Sequence, residues 1–163
     1  MDLGVTIIGA ILIAICIVPI ILMGRNRKKT EKKAFQSLIN IANQQSCIIN
    51  KHEICGDFVL GIDENRNFVF FFKQKKEEAI SKFVDLSEVH ICQAVKKTRN
   101  VKIDKENHSI IERVDLSFIL TNKNKGEVKF ELYDEEINTQ LSEELQFVEK
   151  WAKQINDRLK NKK

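Results

Sequence analysis

Three cysteines and two histidines lie at spacings that raise the question of metal chemistry. Cys47 and Cys55 flank His52, and His90 and Cys92 follow further along the chain. A tetrahedral zinc site needs four such ligands, which usually come as close C-x2-4-C pairs that orient two thiolates together. The chain contains no such pair, and strand alternation would place His90 and Cys92 on one face as ordinary core or surface residues. We therefore predict no metal site.

The sequence contains no familiar catalytic motif. Nucleophile elbows, H-E-x-x-H and glycine-rich phosphate loops are missing from it. No serine or cysteine lies at a recognised spacing from a histidine. The acidic run Asp134-Glu135-Glu136 could bind a cation weakly, but a solvated loop before a helix explains it more simply. We predict a non-catalytic protein without a cofactor.

Positive charge is concentrated in one short segment. The net charge of +4 comes from 27 Lys and Arg against 23 Asp and Glu. Residues 25–33 hold six cations and one anion, whereas residues 34–163 hold 21 of each sign. A nucleic-acid-binding domain should carry a net basic face, so we predict no nucleic-acid partner. Anionic lipid headgroups are the predicted contact, at about 1 kcal/mol per basic residue. The predicted membrane-surface residues are Arg25, Arg27, Lys28, Lys29, Lys32 and Lys33.

The basic segment follows an apolar stretch, Leu3 to Met23, of 21 residues without a charged side chain. As a helix this stretch is long enough to cross a hydrocarbon core of roughly 30 Å. We predict a single-pass transmembrane helix. Because positive charge stays on the cytoplasmic side, the N-terminus is expected outside and residues 24–163 in the cytoplasm, at the inner (plasma) membrane of a bacterium. The cysteines there should stay reduced.

Three other interpretations of the apolar stretch are less consistent with its surroundings. A cleavable signal peptide carries its basic residues before the apolar run, and here they follow it. A lipoprotein signal at Cys16 would have a small residue before the cysteine, where this chain has Ile15. A buried core helix would be too long and too apolar for the domain of roughly 130 residues that remains.

The rest of the chain changes its hydrophobic period from 3.6 to 2 and back. Apolar residues three and four apart predict a helix from Thr30 to Gln44. Alternating residues between Phe58 and Tyr133 predict six or seven strands in hairpin order, with an exposed loop or ragged hairpin at residues 100–112. A long amphipathic helix is predicted to start near Thr139. The predicted organisation is an anchor at 1–24, a basic collar and juxtamembrane helix at 25–45, and one domain at 46–163.

This succession resembles the pleckstrin-homology-like superfold. The segments that carry the resemblance are FVLGID-ENRN-FVFFFK, FVDLSEVHICQAVKK, VDLSFILT, EVKFELYD and LSEELQFVEKWAKQIN, within residues 58–156. Val84 to Val89 is similar to the I-D-L-x-x-I step of bacterial proteins of this kind, and Trp151 resembles the helix tryptophan of many pleckstrin-homology domains. The resemblance implies an α+β fold in which a half-open antiparallel β-barrel is capped by the long C-terminal helix.

Domains of this superfold mostly bind lipids, peptides or proteins and rarely catalyse. Lipid-binding members place cations in the loop after their first strand, where this chain has only Arg66 within residues 64–67. Basic residues are denser in two other segments of the chain, at residues 73–76 and 96–99. The residues predicted for contact with a partner or lipid are Lys73, Lys75, Lys76, Lys96, Lys97 and Arg99.

The predicted function is a membrane-tethered cytoplasmic binding or scaffolding module for an unknown protein partner. One alternative is an accessory subunit of a membrane complex, packed through small residues such as Gly4 and Gly9 in the apolar stretch. Another is a small-ligand binder that uses the barrel interior. The five phenylalanines between Phe58 and Phe72 indicate that this interior is filled, which disfavours the last alternative.

Overall fold

The computed structural model describes residues 28–75, 78–103, 106–138, 141 and 143–161. A first helix, α1, covers residues 28–44, which confirms the helix predicted from Thr30 to Gln44. Seven strands and a second long helix follow. They are β1 (Lys51–Cys55), β2 (Phe58–Asp63), β3 (Phe68–Gln74), β4 (Ala79–Asp85), β5 (Val89–Ile103), β6 (Glu106–Leu120), β7 (Glu127–Asp134) and α2 (Glu144–Lys160), with a 3-10 turn at Lys123–Lys125.

The strands form two antiparallel sheets. The first sheet has the order β1-β2-β3-β4 and the second has the order β5-β6-β7. The predicted half-open barrel is therefore wrong. A turn separates β4 from β5, in which Glu88 N donates to Asp85 O at 3.1 Å, and the chain then starts a new sheet instead of extending the first. The α+β class with antiparallel sheets and a C-terminal helix holds, and this arrangement is loosely compatible with a pleckstrin-homology-like architecture.

The fold class was also predicted to include a transmembrane helix. Residues 3–23, on which that prediction falls, lie outside the described residues. Within the part of the chain that the structure describes, no helix is long and apolar enough to cross a membrane. The fold class is corrected accordingly to an α+β domain of two sheets flanked by α1 and α2.

The larger hydrophobic cluster, here called the inner core, lies between the two sheets and under α2. Phe71 of β3 stacks on Phe130 of β7 with ring centroids 5.1 Å apart. From α2, Phe147 contacts Phe58 edge-on at 5.1 Å, and Trp151 is 1% exposed. The α2 residues at helical spacing thus close the space between the sheets. α2 begins at Glu144, later than the predicted start near Thr139, and Glu143 at its N-cap makes no side-chain cap bond.

A second hydrophobic cluster, here called the outer cluster, lies between α1 and the opposite face of the four-stranded sheet. Its buried residues are Ala34, Leu38, Ala42, Cys47, Val59, Phe70 and Phe72. Gly61 permits the close approach of α1, because a Cβ at this position would lie 2.8 Å from Leu38 Cδ2. β3 is consequently covered on both faces, which accounts for its continuous apolar sequence.

The hairpin of β5 and β6 extends beyond its sheet. β7 pairs with β6 only as far as Arg113 opposite Asp134, whereas β5 and β6 pair out to Ile103 opposite Glu106. A register irregularity between Lys97 and Thr98 marks the start of this extension. The polar segment 100–112, expected as a loop or ragged hairpin, is thus largely a two-stranded ribbon.

Candidate binding surfaces

The predicted membrane-surface residues that the structure describes lie on the first turns of α1. Lys28, Lys29, Lys32 and Lys33 are all exposed. Arg25 and Arg27 lie outside the described residues. The apolar stripe of the same helix is buried against the sheet through Ala34, Leu38 and Ala42. The exposed lysines therefore belong to a helix that is packed onto the domain.

Several contacts fix α1 and the segment that follows it. The Phe35 ring stacks on His52 of β1 with centroids 3.8 Å apart. Beyond the helix, Ile48 N donates to Asp63 Oδ2 at 2.8 Å, and Arg66 donates to the carbonyl oxygen of Gln45 at 3.2 Å. α1 is thus held on the sheet along its length and at its C-terminal end.

Lys73, predicted for partner or lipid contact, is fully buried between the sheets. Its Nζ donates to Leu132 O at 3.0 Å and to Asn138 Oδ1 at 3.5 Å, and Asp57 Oδ2 is 3.9 Å away. Burial raises the pKa of Asp57, although the charge of Lys73 opposes this shift. The Lys73 side chain links β3 to β7 and is not part of an exposed basic surface.

The neighbouring basic residues differ in their environment. Lys75 Nζ lies 3.4 Å from Glu131 Oε1. Lys76 lies outside the described residues. Lys96 is exposed on β5. The structure therefore does not bring the group predicted around Lys73 together as one exposed patch.

Lys97 and Arg99 lie at the base of the ribbon, in a polar pocket of about 420 Å³. Lys97 Nζ is 2.8 Å from Glu112 Oε2, and Arg99 Nη2 donates to Glu135 Oε1 at 2.7 Å. These hydrogen bonds and charges raise the pKa of both basic groups. The two predicted contact residues thus pair with acids of their own chain.

Another concave surface, here called the α2 cleft, lies between the last turns of α2, the start of β1 and the β2–β3 turn. Its volume is about 550 Å³. Lining residues include Lys51, Ile62, Glu64, Asn67, Trp151, Gln154, Ile155, Asp157, Arg158 and Asn161. Charges of both signs therefore surround an apolar floor, a combination typical of sites that orient a ligand through a few polar groups.

Side-chain hydrogen bonds fix the walls of the α2 cleft. Lys51 Nζ donates to Gln154 Oε1 at 3.0 Å, and Arg158 Nε donates to Asn67 Oδ1 at 2.9 Å. Below them, Trp151 Nε1 donates to Glu53 Oε2 at 3.0 Å. The sequence singles out Trp151 by resemblance but does not predict this cleft, because the residues that form its walls lie about a hundred positions apart in sequence. Nothing in the sequence around Lys51 or Arg158 predicts that the two residues line the same cleft.

The reactive side chains are dispersed. Cys47, Cys55 and Cys92 are free and buried, and burial raises the pKa of Cys55 and of Cys92 to about 12. Cys47 lies in the outer cluster, whereas Cys55 and Cys92 belong to the inner core. Among the described residues no group of His, Cys, Asp and Glu could hold a metal ion.

No protein-family model matches the chain, and no significant match was found among curated proteins or solved structures. The class that the structure defines is therefore stated in structural terms, as an α+β domain with two antiparallel sheets, a sheet-packed helix α1 and a C-terminal helix α2.

Proposed function

We propose that the chain is a non-catalytic binding module that presents a protein partner at the cytoplasmic surface of a membrane. The observation that carries this proposal is the position of α1, whose exposed lysines and buried apolar stripe lie on one helix. A surface that attracts these lysines would hold the two sheets beside it without an intervening linker.

The distribution of charge in the sequence supports a membrane as that surface. The cations concentrated in residues 25–33 directly follow the uncharged residues 3–23, while the rest of the chain is balanced. Clusters of four or more Lys and Arg next to an apolar segment are typical of contact with anionic headgroups. The free thiols of the described cysteines agree with a reducing compartment.

The α2 cleft is the surface proposed for the partner. Lys51 and Arg158 supply positive charge, Glu64 and Asp157 supply negative charge, and Ile62 contributes to the apolar floor. An extended protein segment with one apolar side chain between charged ones would fit this arrangement. The inner core offers no comparable space, since Phe58, Phe71, Phe118 and Phe130 are fully buried within it.

Vesicle binding tests the membrane part of the proposal. Full-length chain is mixed with vesicles of phosphatidylcholine alone or with phosphatidylserine added, and bound protein is measured by flotation. Reversing the α1 charges (K28E, K29E, K32E, K33E) should lower the preference for phosphatidylserine by at least about tenfold, given about 1 kcal/mol per basic residue. The control reverses four other exposed lysines (K96E, K102E, K153E, K160E) and has the same net charge. Equal loss in both variants would contradict the assignment to α1.

Partner capture tests the α2 cleft. Gln154→Trp should fill the cleft and abolish cross-linking of a specific membrane protein to the full-length chain, because Gln154 lies on the cleft wall. Gln93→Trp is the control, since Gln93 is exposed on β5 away from the cleft. The partner role of the cleft fails if both variants capture the same proteins as the wild type.

A further inference from the structure

The outermost strands of the three-stranded sheet are capped by side chains from other elements. Asn156 of α2 accepts from Cys92 N at 2.9 Å and donates to Cys92 O at 2.6 Å, which occupies the backbone of β5 at that point. On β7, Lys82 Nζ donates to Lys129 O at 2.8 Å. Lys73 adds the bond to Leu132 O already described. Such capping satisfies backbone groups that an edge strand leaves free.

The outer edge of β4 differs from these edges. Leu86 N donates to Asn67 O at 2.8 Å and Lys75 N donates to Glu78 O at 2.7 Å, at the two ends of the β3–β4 pairing. Because hydrogen-bonded positions alternate along an antiparallel pair, the even-numbered residues of β4 face β3. The backbone N–H and C=O groups of Ala79, Ser81 and Phe83 therefore point away from the sheet.

These three residues are exposed, and no described residue outside the β3–β4 pairing hydrogen-bonds their backbone. Phe83 leaves 43% of its surface exposed and lies 6.2 Å from Phe70, ring centroid to ring centroid. Lys82 directs its ammonium group inward, to Lys129 O of β7. β4 is thus an edge that combines free backbone groups with an exposed aromatic side chain.

We infer that β4 pairs antiparallel with β4 of a second copy of this chain, about a two-fold axis at Ser81. In this register Ala79 of each copy faces Phe83 of the other, and the two Ser81 residues face each other. All the outward N–H and C=O groups are then used, in about six backbone hydrogen bonds. The small Ala79 side chain leaves space for the Phe83 ring of the second copy.

The charges on β4 favour the register centred on Ser81 and a second copy of this chain as the partner. A register centred on Lys82 would place two lysines directly opposite, which is destabilising. Centred on Ser81, each Lys82 instead faces the uncharged Ile80 of the second copy, so no like charges lie directly opposite. The two-fold axis makes the pairing self-complementary, as in the interfaces of most homodimers. The pairing would join the two four-stranded sheets into one continuous sheet.

Disulfide trapping of the full-length chain tests the pairing, with Cys16→Ser in every variant to remove the cysteine outside the described residues. Ser81→Cys should form a covalent dimer under mild oxidation, because facing residues of paired strands are close enough for a disulfide. Ser87→Cys is the control, since Ser87 is equally exposed but lies beyond the paired residues. Equal dimer yield from both positions, or a disulfide that joins the introduced thiol only to a different protein, would overturn the inference.

A second pair of variants distinguishes pairing through the β4 edge from nonspecific association through exposed apolar side chains. Phe83→Lys in the Ser81→Cys chain should lower the yield of covalent dimer about tenfold, because it replaces the ring that faces Ala79 of the second copy by a lysine, a residue that disfavours pairing at an edge strand. Ile48→Lys replaces an exposed isoleucine away from β4 and should leave the yield unchanged. Far-UV circular dichroism confirms that both variants are folded. An undiminished yield with Phe83→Lys would also overturn the inference.

Discussion

The two faces of β3 carry hydrophobic clusters of different construction. The inner core is closed by strands of both sheets and by α2, and it holds Phe71, Phe118, Phe130 and Trp151. The outer cluster is closed by α1 and the segment that follows it, through Ala34, Leu38, Ala42 and Cys47. A core closed by several elements can relax little after a change, whereas a single packed helix can shift. The inner core therefore sets the fold, and the outer cluster sets the position of the α1 lysines.

The largest expected effect comes from comparing Phe71→Ala with Phe70→Ala. These neighbours on β3 are both fully buried, on opposite faces. Phe71→Ala should lower the free energy of unfolding by about 3–5 kcal/mol, because the ring between Phe58 and Phe130 leaves a cavity that the sheets cannot close. Phe70→Ala should cost less, since α1 can move into the space. Urea unfolding measures both, and equal costs would contradict the distinction between the clusters.

This contrast shows what hydrophobic periodicity can and cannot predict. Alternating residues predicted strands between Phe58 and Tyr133, and the apolar stripe in residues 30–44 predicted a helix. Both predictions are confirmed, because each depends on residues close in sequence. Periodicity does not specify which strands pair, so two sheets joined at a turn were taken for one barrel. The burial of Lys73 could not be predicted from the sequence either, because its hydrogen-bond acceptor, Leu132 O, lies 59 residues away along the chain.

Asp63 lies at the end of β2 opposite Phe68, beside the outer cluster, and gives a pH-dependent prediction. It is 1% exposed, and its carboxylate accepts from Ile48 N at 2.8 Å and from Asn65 N and Arg66 N at 2.9 Å. Burial alone would raise the pKa of Asp63, but these backbone donors outweigh burial and lower it. The carboxylate thus joins the segment after α1 to the β2–β3 turn.

Asp63→Asn should lower the free energy of unfolding by about 1–3 kcal/mol at neutral pH, because an amide has one acceptor oxygen where the carboxylate has two. Since the pKa is lower in the folded state, the contribution of Asp63 is complete above the unfolded pKa of about 3.9 and is lost as pH falls through the folded pKa. The difference from wild type should therefore be constant above about pH 5 and shrink below about pH 4. Asp157→Asn, at an exposed position of α2, is the control. A difference that stays constant into acid would show that the charge of Asp63 is not involved.

The smallest expected effect is a difference in labelling rate between a cysteine of the outer cluster, Cys47, and a cysteine of the inner core, Cys92. Burial raises the pKa of Cys47 in the outer cluster, and it raises the pKa of Cys92 in the inner core to about 12. Maleimide, which reacts with the thiolate, should therefore label either residue only when its cluster opens. Because opening the outer cluster requires only that α1 and the segment after it leave the sheet, Cys47 should be labelled at least about tenfold faster than Cys92. Peptide mass spectrometry of the folded Cys16→Ser chain measures the two rates separately.

Leu38→Ala sharpens this last comparison. Leu38 of α1 is fully buried against the four-stranded sheet, so its truncation should speed the labelling of Cys47. The rate at Cys92 should change little, since the inner core opens by a separate event. If both rates rise by the same factor, α1 and the sheets open together and the two clusters act as one cooperative unit. Unequal rates would show that α1 can leave the four-stranded sheet while the inner core stays closed, which would make the α1 lysines a separately mobile part of the domain.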